Sequence, residues 1–335
     1  MAEGSEPQRA SATAYGETAR LRSTPFLWAF AVKAGSVTPL AADNLREHLA
    51  ARNTWIWLHL PLSDQRARTL IEALDDLPPV VRDQILAAES RVQILFAKNW
   101  AYGVLPDLER DLEGRAAGVG RLQFAAGQRL LVTARRRPLR CVDELRRAFA
   151  TGLAPVTPAG AWVDLVEYYT EAAEAWLNAS SEALDGIEDV MLRDGEDTDS
   201  LALGPQRREL SRAHRDYLNL RSALHRAAAP RVAHGLDAII ENLSRLTHAV
   251  EDLDQECRSL QERARLLHEE LDTRIAEGAN RSMRTLTIIS TLLIPPTLIV
   301  GALGMNVPGL PFEHDHVGFT KSMAMCAAIV GAAYF

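Results

Sequence analysis

Cysteine is scarce in this chain. There are three in 335 residues, Cys141, Cys257 and Cys326, far apart and without a CxxC pair. That argues against a disulfide framework and a cysteine-built zinc site, and it suits a reducing compartment for the bulk of the protein. Residues 1 to 22 lack an apolar core, so they read as a disordered tail rather than a signal peptide. Positive charge is not in excess either, and a net charge of −7 argues against a nucleic-acid partner. Neither a glycine-rich phosphate loop nor a nucleophile–base pairing stands out, so the reading is of a protein that is not an enzyme.

Charge itself is missing from two stretches. From Thr285 to Phe312 there is no charged side chain, and Ser322 to Phe335 is a second such run, whereas everything before Arg284 is dense in charge. Thr285–Leu303 reads TLTIISTLLIPPTLIVGAL, close to the roughly 20 apolar residues that cross a bilayer. A buried core helix is the alternative. The abrupt Arg281/Arg284 border weighs against it, and Pro295-Pro296 is better tolerated in a membrane helix than in a soluble one. Arg274, Arg281 and Arg284 precede the span, while Glu313 and Asp315 follow it. The positive-inside rule therefore puts the long N-terminal part in the cytoplasm. A second span would start near Lys321. Its run to Phe335 is shorter than a crossing needs, so the sequence reads as cut short there.

Upstream, strand and helix signals alternate. Phe26–Val32, Thr54–Leu60, Val92–Phe96, Trp100–Leu105, Gly120–Ala125 and Arg129–Ala134 read as strands. Asp43–Arg52, Ser63–Asp75, Pro79–Glu89 and Arg140–Thr151 read as helices, with Asp43 and Ser63 as N-caps. This alternation predicts a compact α/β domain. From Pro158 onward only helical patterns remain, over Ala159–Asp194, Gly204–Ala228 and from about Leu236. In the last, Leu243, Leu246, Val250, Leu253, Cys257, Leu260, Ala264, Leu267 and Leu271 keep strict 3-4 spacing. Such a coiled-coil seam predicts helix–helix packing, with a neighbouring subunit as candidate partner. If the helix runs on to Gly301, it is about 100 Å long at about 1.5 Å per residue.

The expected organisation is a tail (1–22), a cytoplasmic α/β domain (23–157), a helical stalk (158–282) and a membrane part (283–335). The membrane part divides into a first span (about 283–303), a loop (304–320) and a second span (about 321–335). In fold class this is an α+β membrane protein.

The segment TLTIISTLLIPPTLIVGALGMN (285–306) resembles the first membrane helix and Gly-Met-Asn signature of CorA-type divalent cation transporters. The residues that carry the likeness are Gly301, Gly304-Met305-Asn306 and the Pro-x-Thr of Pro295 and Thr297. Thr133–Leu145 (TARRRPLRCVDEL) and Leu253–Asn280 are similar to the zinc-transporting ZntB branch. The resemblance covers roughly residues 25 to 335. It implies a funnel-shaped homopentamer in a bacterial cytoplasmic membrane. Five long helices line one pore, two helices per chain cross the lipid, and both termini are cytoplasmic.

Under that resemblance each inward-facing residue becomes a ring of five. Gly304, Met305 and Asn306 form the outer mouth, where amide oxygens accept hydrogen bonds from the waters of a hydrated cation. Helical spacing then leads down through Thr297, Ile294, Ser290, Thr287, Met283 and Asn280. For each hydroxyl the alternative is a bond to its own helix backbone. Four consecutive potential metal ligands, Glu313-His314-Asp315-His316, concentrate cations outside or form a plain polar rim. Imidazole with carboxylate suits zinc. Glu269 and Glu270 are candidates for the cytoplasmic exit, and Arg135-Arg136-Arg137 reads as a solvated strand end. The partners implied are divalent metal ions, lipid and four copies of the chain; no covalent cofactor is expected. Proton coupling is implied by the zinc branch. Val307-Pro308-Gly309 departs from the Gly-Gly expected after the signature in that branch, so zinc and magnesium or cobalt both stay open as cargo. A membrane-anchored coiled-coil scaffold without transport is the reading from another class.

Overall fold

The computed structural model describes residues 24–51, 53–88, 91–110, 116–193, 200–228, 235–304 and 316–334. It divides into two compact units. The first runs to Ile187 and takes up again over Leu201–Ala264; the second comprises Glu188–Ser200 and the chain from Arg265 on.

The first unit is built on one sheet of seven strands. They are β1 (Trp28–Lys33), β2 (Ser36–Pro39), β3 (Trp55–Pro61), β4 (Gln93–Ala97), β5 (Trp100–Arg110), β6 (Ala116–Ala126) and β7 (Leu130–Arg135), in the spatial order β2-β1-β3-β7-β6-β5-β4. Only β3 and β7 pair in parallel; every other neighbouring pair is antiparallel. The strand–helix alternation in the sequence therefore does not produce an all-parallel sheet. Short hairpins close β1–β2 and β4 through β7, and the parallel β3–β7 pair joins the halves. At the β1–β2 turn Ala34 and Gly35 both have positive φ, 50° and 82°, as the two-residue turn matching strand twist requires. At Gly103 a Cβ would stand 2.0 Å from the Gln93 carbonyl oxygen, so only glycine lets β4 lie against β5 there.

Strand alternation sorts the core into two faces. Ile56, Leu58 and Leu60 of β3, with Leu130, Val132 and Ala134 of β7, face α1 (Leu45–Ala50), α2 (Gln65–Glu72) and α3 (Pro79–Leu86), whose Leu45, Ile71, Val81 and Ile85 join the same apolar cluster. The α2 N-cap is Asp64, which accepts a hydrogen bond from the Arg66 backbone N–H at 2.9 Å; Ser63 does not serve. Asp43 lies in a 3-10 turn, Ala42–Asn44, and caps nothing.

The opposite face is aromatic. Trp57 stacks its edge against Phe149 of α4 (Arg140–Ala150), with ring centroids 4.8 Å apart, and Phe124 meets Trp162 of α5 (Pro158–Arg193). Trp57 Nε1 donates to Thr133 Oγ1 at 2.8 Å, and His59 Nδ1 stands 2.8 Å from that same oxygen. His59 is fully buried under the stacked Trp28 ring. Burial, aided by the nearby Arg135 charge, drives its pKa well below the ordinary imidazole range. Asp107 is buried too. Its carboxylate accepts the Cys141 and Val142 backbone N–H groups at 2.9 and 3.1 Å, capping α4 from a strand far away in sequence. Burial raises its pKa to about 6, against the pull of those hydrogen bonds.

Two further helices complete the set, α6 (Ser200–Ala227) and α7 (Asp237–Leu303), and α8 (Gly318–Tyr334) follows. The 3-4 seam of α7 is buried throughout, from Leu243 (2% exposed) to Leu271 (2%). Its partners are helices of the same chain. In the first unit Gln261 Nε2 donates to the Leu210 carbonyl of α6 at 3.0 Å, and Arg263 pairs with Asp185 of α5 at 2.5 Å. A neighbouring subunit is thus not what fills the seam. A helix hairpin in the chain offers the same a/d geometry with less ordering entropy than a second molecule. At the centre, Asp254 (2% exposed) takes Arg221 of α6 at 2.9 Å and Arg258 at 2.7 Å, with His214 Nδ1 2.8 Å from its other oxygen.

Candidate ion-conduction path

In the second unit α7 changes character. From Arg281 to Ile294 every side chain but Ser290 is exposed, apolar ones included: Met283 67%, Leu286 66%, Ile294 63%. Leu298 follows at 72%. Among the described residues this is the one helix long and apolar enough to cross a membrane, and none of its apolar window is buried within the chain; α8 contributes a shorter apolar stretch, Gly318–Ala332. An exposed apolar surface of this extent marks a membrane or protein-interaction surface. Pro295 and Pro296 sit inside the helix without ending it. Having no N–H, they leave the carbonyls of Thr291 and Leu292 without their usual intrahelical donors.

The predicted lining residues fall on one row. Asn280, Met283, Thr287, Ser290, Ile294 and Thr297 advance in steps of three and four, and Gly301 and Gly304 continue the same row. All are exposed except Ser290, which is half-buried. Traced backward, the row passes through Ala276 and Thr273 to Glu269. Thr273 and Ala276 were not singled out from the sequence, although counting back from Asn280 by the same steps finds them. Glu270 lies off the row by one residue.

Within the apolar span two hydroxyls on the row are tied to their own backbone, as Thr273 Oγ1 is below it, donating to the Glu269 carbonyl at 2.9 Å. Thr287 Oγ1 donates to the Met283 carbonyl at 2.9 Å, and Thr297 Oγ1 to the Leu293 carbonyl at 2.7 Å. The alternative weighed for them is therefore realised, but it uses only the hydroxyl hydrogen. Each oxygen keeps lone pairs, which are what a cation or its waters need. The two carboxylates expected at the exit are also engaged. Glu269 accepts from Arg265 at 2.7 Å and Glu270 from Arg274 at 2.6 Å, each one turn away on α7. They are exposed i,i+4 pairs, so their negative charge is partly balanced on the spot. Arg274 also donates to the Met191 carbonyl of α5.

Of the outer mouth, Gly304 is described and exposed, whereas Met305 and Asn306 lie outside the described residues. A Cβ at Gly304 would stand 3.1 Å from the Val300 carbonyl oxygen, while at Gly301 it would meet nothing within 4 Å. His316 is exposed just before α8; Glu313, His314 and Asp315 lie outside the described residues. Among the described residues no three His, Cys, Asp or Glu side chains gather into a metal-binding group.

A mixed α/β domain that feeds one long helix into an unburied apolar span is the build of a membrane transporter subunit. Residues 52–335 match the family model described as CorA-like Mg2+ transporter protein, and the chain belongs to that family. It is 23% identical over 308 residues to the zinc transport protein ZntB of Yersinia enterocolitica (serotype O:8 / biotype 1B), covering 90% of this chain and 91% of the relative. To the divalent cation transporter CmaX of Pseudomonas aeruginosa it is 28% identical over 219 residues, 64% of each chain. The solved structure of full-length CmaX superposes with a TM-score of 0.77 at 20% identity, over 92% of this chain and 98% of that one.

Proposed function

We propose that this protein carries divalent metal cations across a bacterial cytoplasmic membrane, with zinc as the favoured cargo and a proton gradient as the drive. The observation that carries the reading is the row on α7: mostly polar or glycine positions at 3-4 spacing that enter a charge-free, unburied span from Thr285 on and lead to Gly304-Met305-Asn306. In the proposed assembly five copies turn this row inward. α7 and α8 cross the bilayer, and both termini stay in the cytoplasm. Asn306 rings the outer mouth, and Glu313, His314, Asp315 and His316 gather cations above it. Amide and hydroxyl oxygens bind the hydration shell without stripping it. The likeness to ZntB and the histidines of the outer loop support zinc.

A magnesium or cobalt channel is the second reading. The family's own description and the Val307-Pro308-Gly309 loop favour it. Uptake into proteoliposomes distinguishes the two, using a zinc-sensitive dye in one set and a magnesium-sensitive dye in another, with and without an inward proton gradient. Zinc entry that rises with the gradient and is lost in Asn306→Ala supports the first reading. Magnesium entry that follows voltage and ignores protons replaces it with the second. If neither ion enters vesicles carrying the parent protein, the scaffold reading takes over; uptake that Asn306→Ala leaves unchanged removes Asn306 from the path.

A further inference from the structure

The first unit contains a cavity that no conduction path uses. It holds about 490 Å³, within the range of small-molecule sites, and is walled by β5, β6, α5 and α6. Four arginines line it: Arg121, Arg137, Arg212 and Arg215. Two are already matched, Arg121 to Asp216 at 2.6 Å and Arg137 to Glu109 at 3.0 Å. Arg212 and Arg215 are exposed, lie within one helical turn of each other on α6, and make no ion pair among the described residues; Arg215 only bonds the Ser211 carbonyl. A second cavity of about 290 Å³ shares the walls at Glu109, Arg121 and Arg137 and adds Arg136. Counting Glu209 with the two paired acids, five guanidinium groups face three carboxylates, a local excess of positive charge in a chain of net −7.

Charge alone would fit any anion, but two more features narrow the choice. Tyr169 lines the cavity, is 2% exposed, and its hydroxyl has no hydrogen-bond partner among the described residues. Buried hydroxyls are rarely left so, and an acceptor inside the cavity would satisfy this one. Trp176, half-buried, offers its indole on the same wall. A flat ring can stack there.

We propose that this cavity binds a phosphorylated anion bearing a planar ring, in chemical class a nucleotide. Arg212 and Arg215 take the phosphate oxygens, as forked guanidinium groups do. The Tyr169 hydroxyl donates to an acceptor on the ligand, and Trp176 covers the ring. Such a ligand ties the β5–β6 hairpin to α6.

The test is calorimetric titration of the full-length protein in detergent, in metal-free buffer, with AMP and separately with inorganic phosphate. AMP is expected to bind with a Kd below about 1 mM, and phosphate at least about tenfold more weakly. The double variant Arg212→Gln/Arg215→Gln loses about tenfold or more in AMP affinity without a change in thermal midpoint, because both side chains are exposed. Trp176→Leu weakens AMP but not phosphate. Absence of AMP binding, or unchanged AMP affinity in the double variant, overturns the proposal. Equal binding of phosphate and AMP, indifferent to Trp176, makes the cavity an adventitious anion site only and also overturns it. No transport enters these measurements, so their failure leaves the transport reading where it stands.

Discussion

Replacing Asp254 by alanine should destabilise the first unit far more than removing any one of its partners. The carboxylate is 2% exposed and faces Arg221, Arg258 and His214, at 2.9, 2.7 and 2.8 Å. Breaking a buried pair by deleting one member typically costs about 3–5 kcal/mol. Here the low end applies, because Arg221 and Arg258 are 31% and 52% exposed and regain water when the acid is gone. About 3 kcal/mol corresponds to a fall of roughly 6–12 °C in Tm for a unit of this size. Arg258→Ala removes only the most exposed partner and leaves Arg221 in place, so it should cost under about 1 kcal/mol, or a few degrees at most. Tryptophan-detected thermal unfolding of the full chain in detergent reads both. Equal shifts for the two variants would refute the argument that the buried acid, rather than the number of ion pairs, holds α6 to α7.

Gly301→Leu should leave subunit stability unchanged, since a Cβ there meets nothing within 4 Å, yet cut cation uptake at least about tenfold by narrowing the proposed pore; parallel unfolding and flux assays check it. His59, held neutral by burial, makes the native state bind fewer protons than the unfolded one. Its contribution to stability is therefore lost as pH falls below about 6.5. The difference in stability between His59→Gln and the parent should shift in favour of the variant on acidification from pH 7 to 5, as denaturant midpoints would show. Asp107 acts with the opposite sign. With a folded pKa of about 6 against an unfolded value near 3.9, its burial penalty eases as pH drops through that window. Asp107→Asn should therefore make the acid loss steeper. Asp107→Ala, which strips both acceptors from the α4 N-terminus, should cost about 1–2 kcal/mol at neutral pH.

Much of this architecture is legible in the sequence where periodicity speaks directly. Runs such as Thr54–Leu60 and Arg129–Ala134 mark strands because β-branched and aromatic residues crowd them, and the charge-free run marks the span. β2 escapes, being four residues long and mostly exposed, with no apolar pattern to betray it. The seam of α7 is plain in the sequence, but periodicity says that a face is buried and not by what. A helix hairpin in the chain and a second subunit write the same code. Contacts between distant residues leave no local trace at all. Asp107 capping α4 and Arg121 meeting Asp216 exist only once the sheet is assembled. The row of candidate lining residues follows from counting along α7. Its engagement with the backbone at Thr287 and Thr297, and the pairing of Glu269 and Glu270 with arginines one turn away, required side-chain geometry.

Those two threonines bear on how charge is told apart on the proposed path. With each hydroxyl hydrogen committed to the helix, the oxygens that remain can accept but not donate. An anion approaching them finds no proton to bind, whereas the positive face of a metal aquo-ion finds lone pairs at both levels. On that proposed path, hydrogen-bond polarity at these two levels would add to the formal charge of the outer acidic residues in favouring a cation. The hydroxyl contribution does not titrate and is screened little by salt.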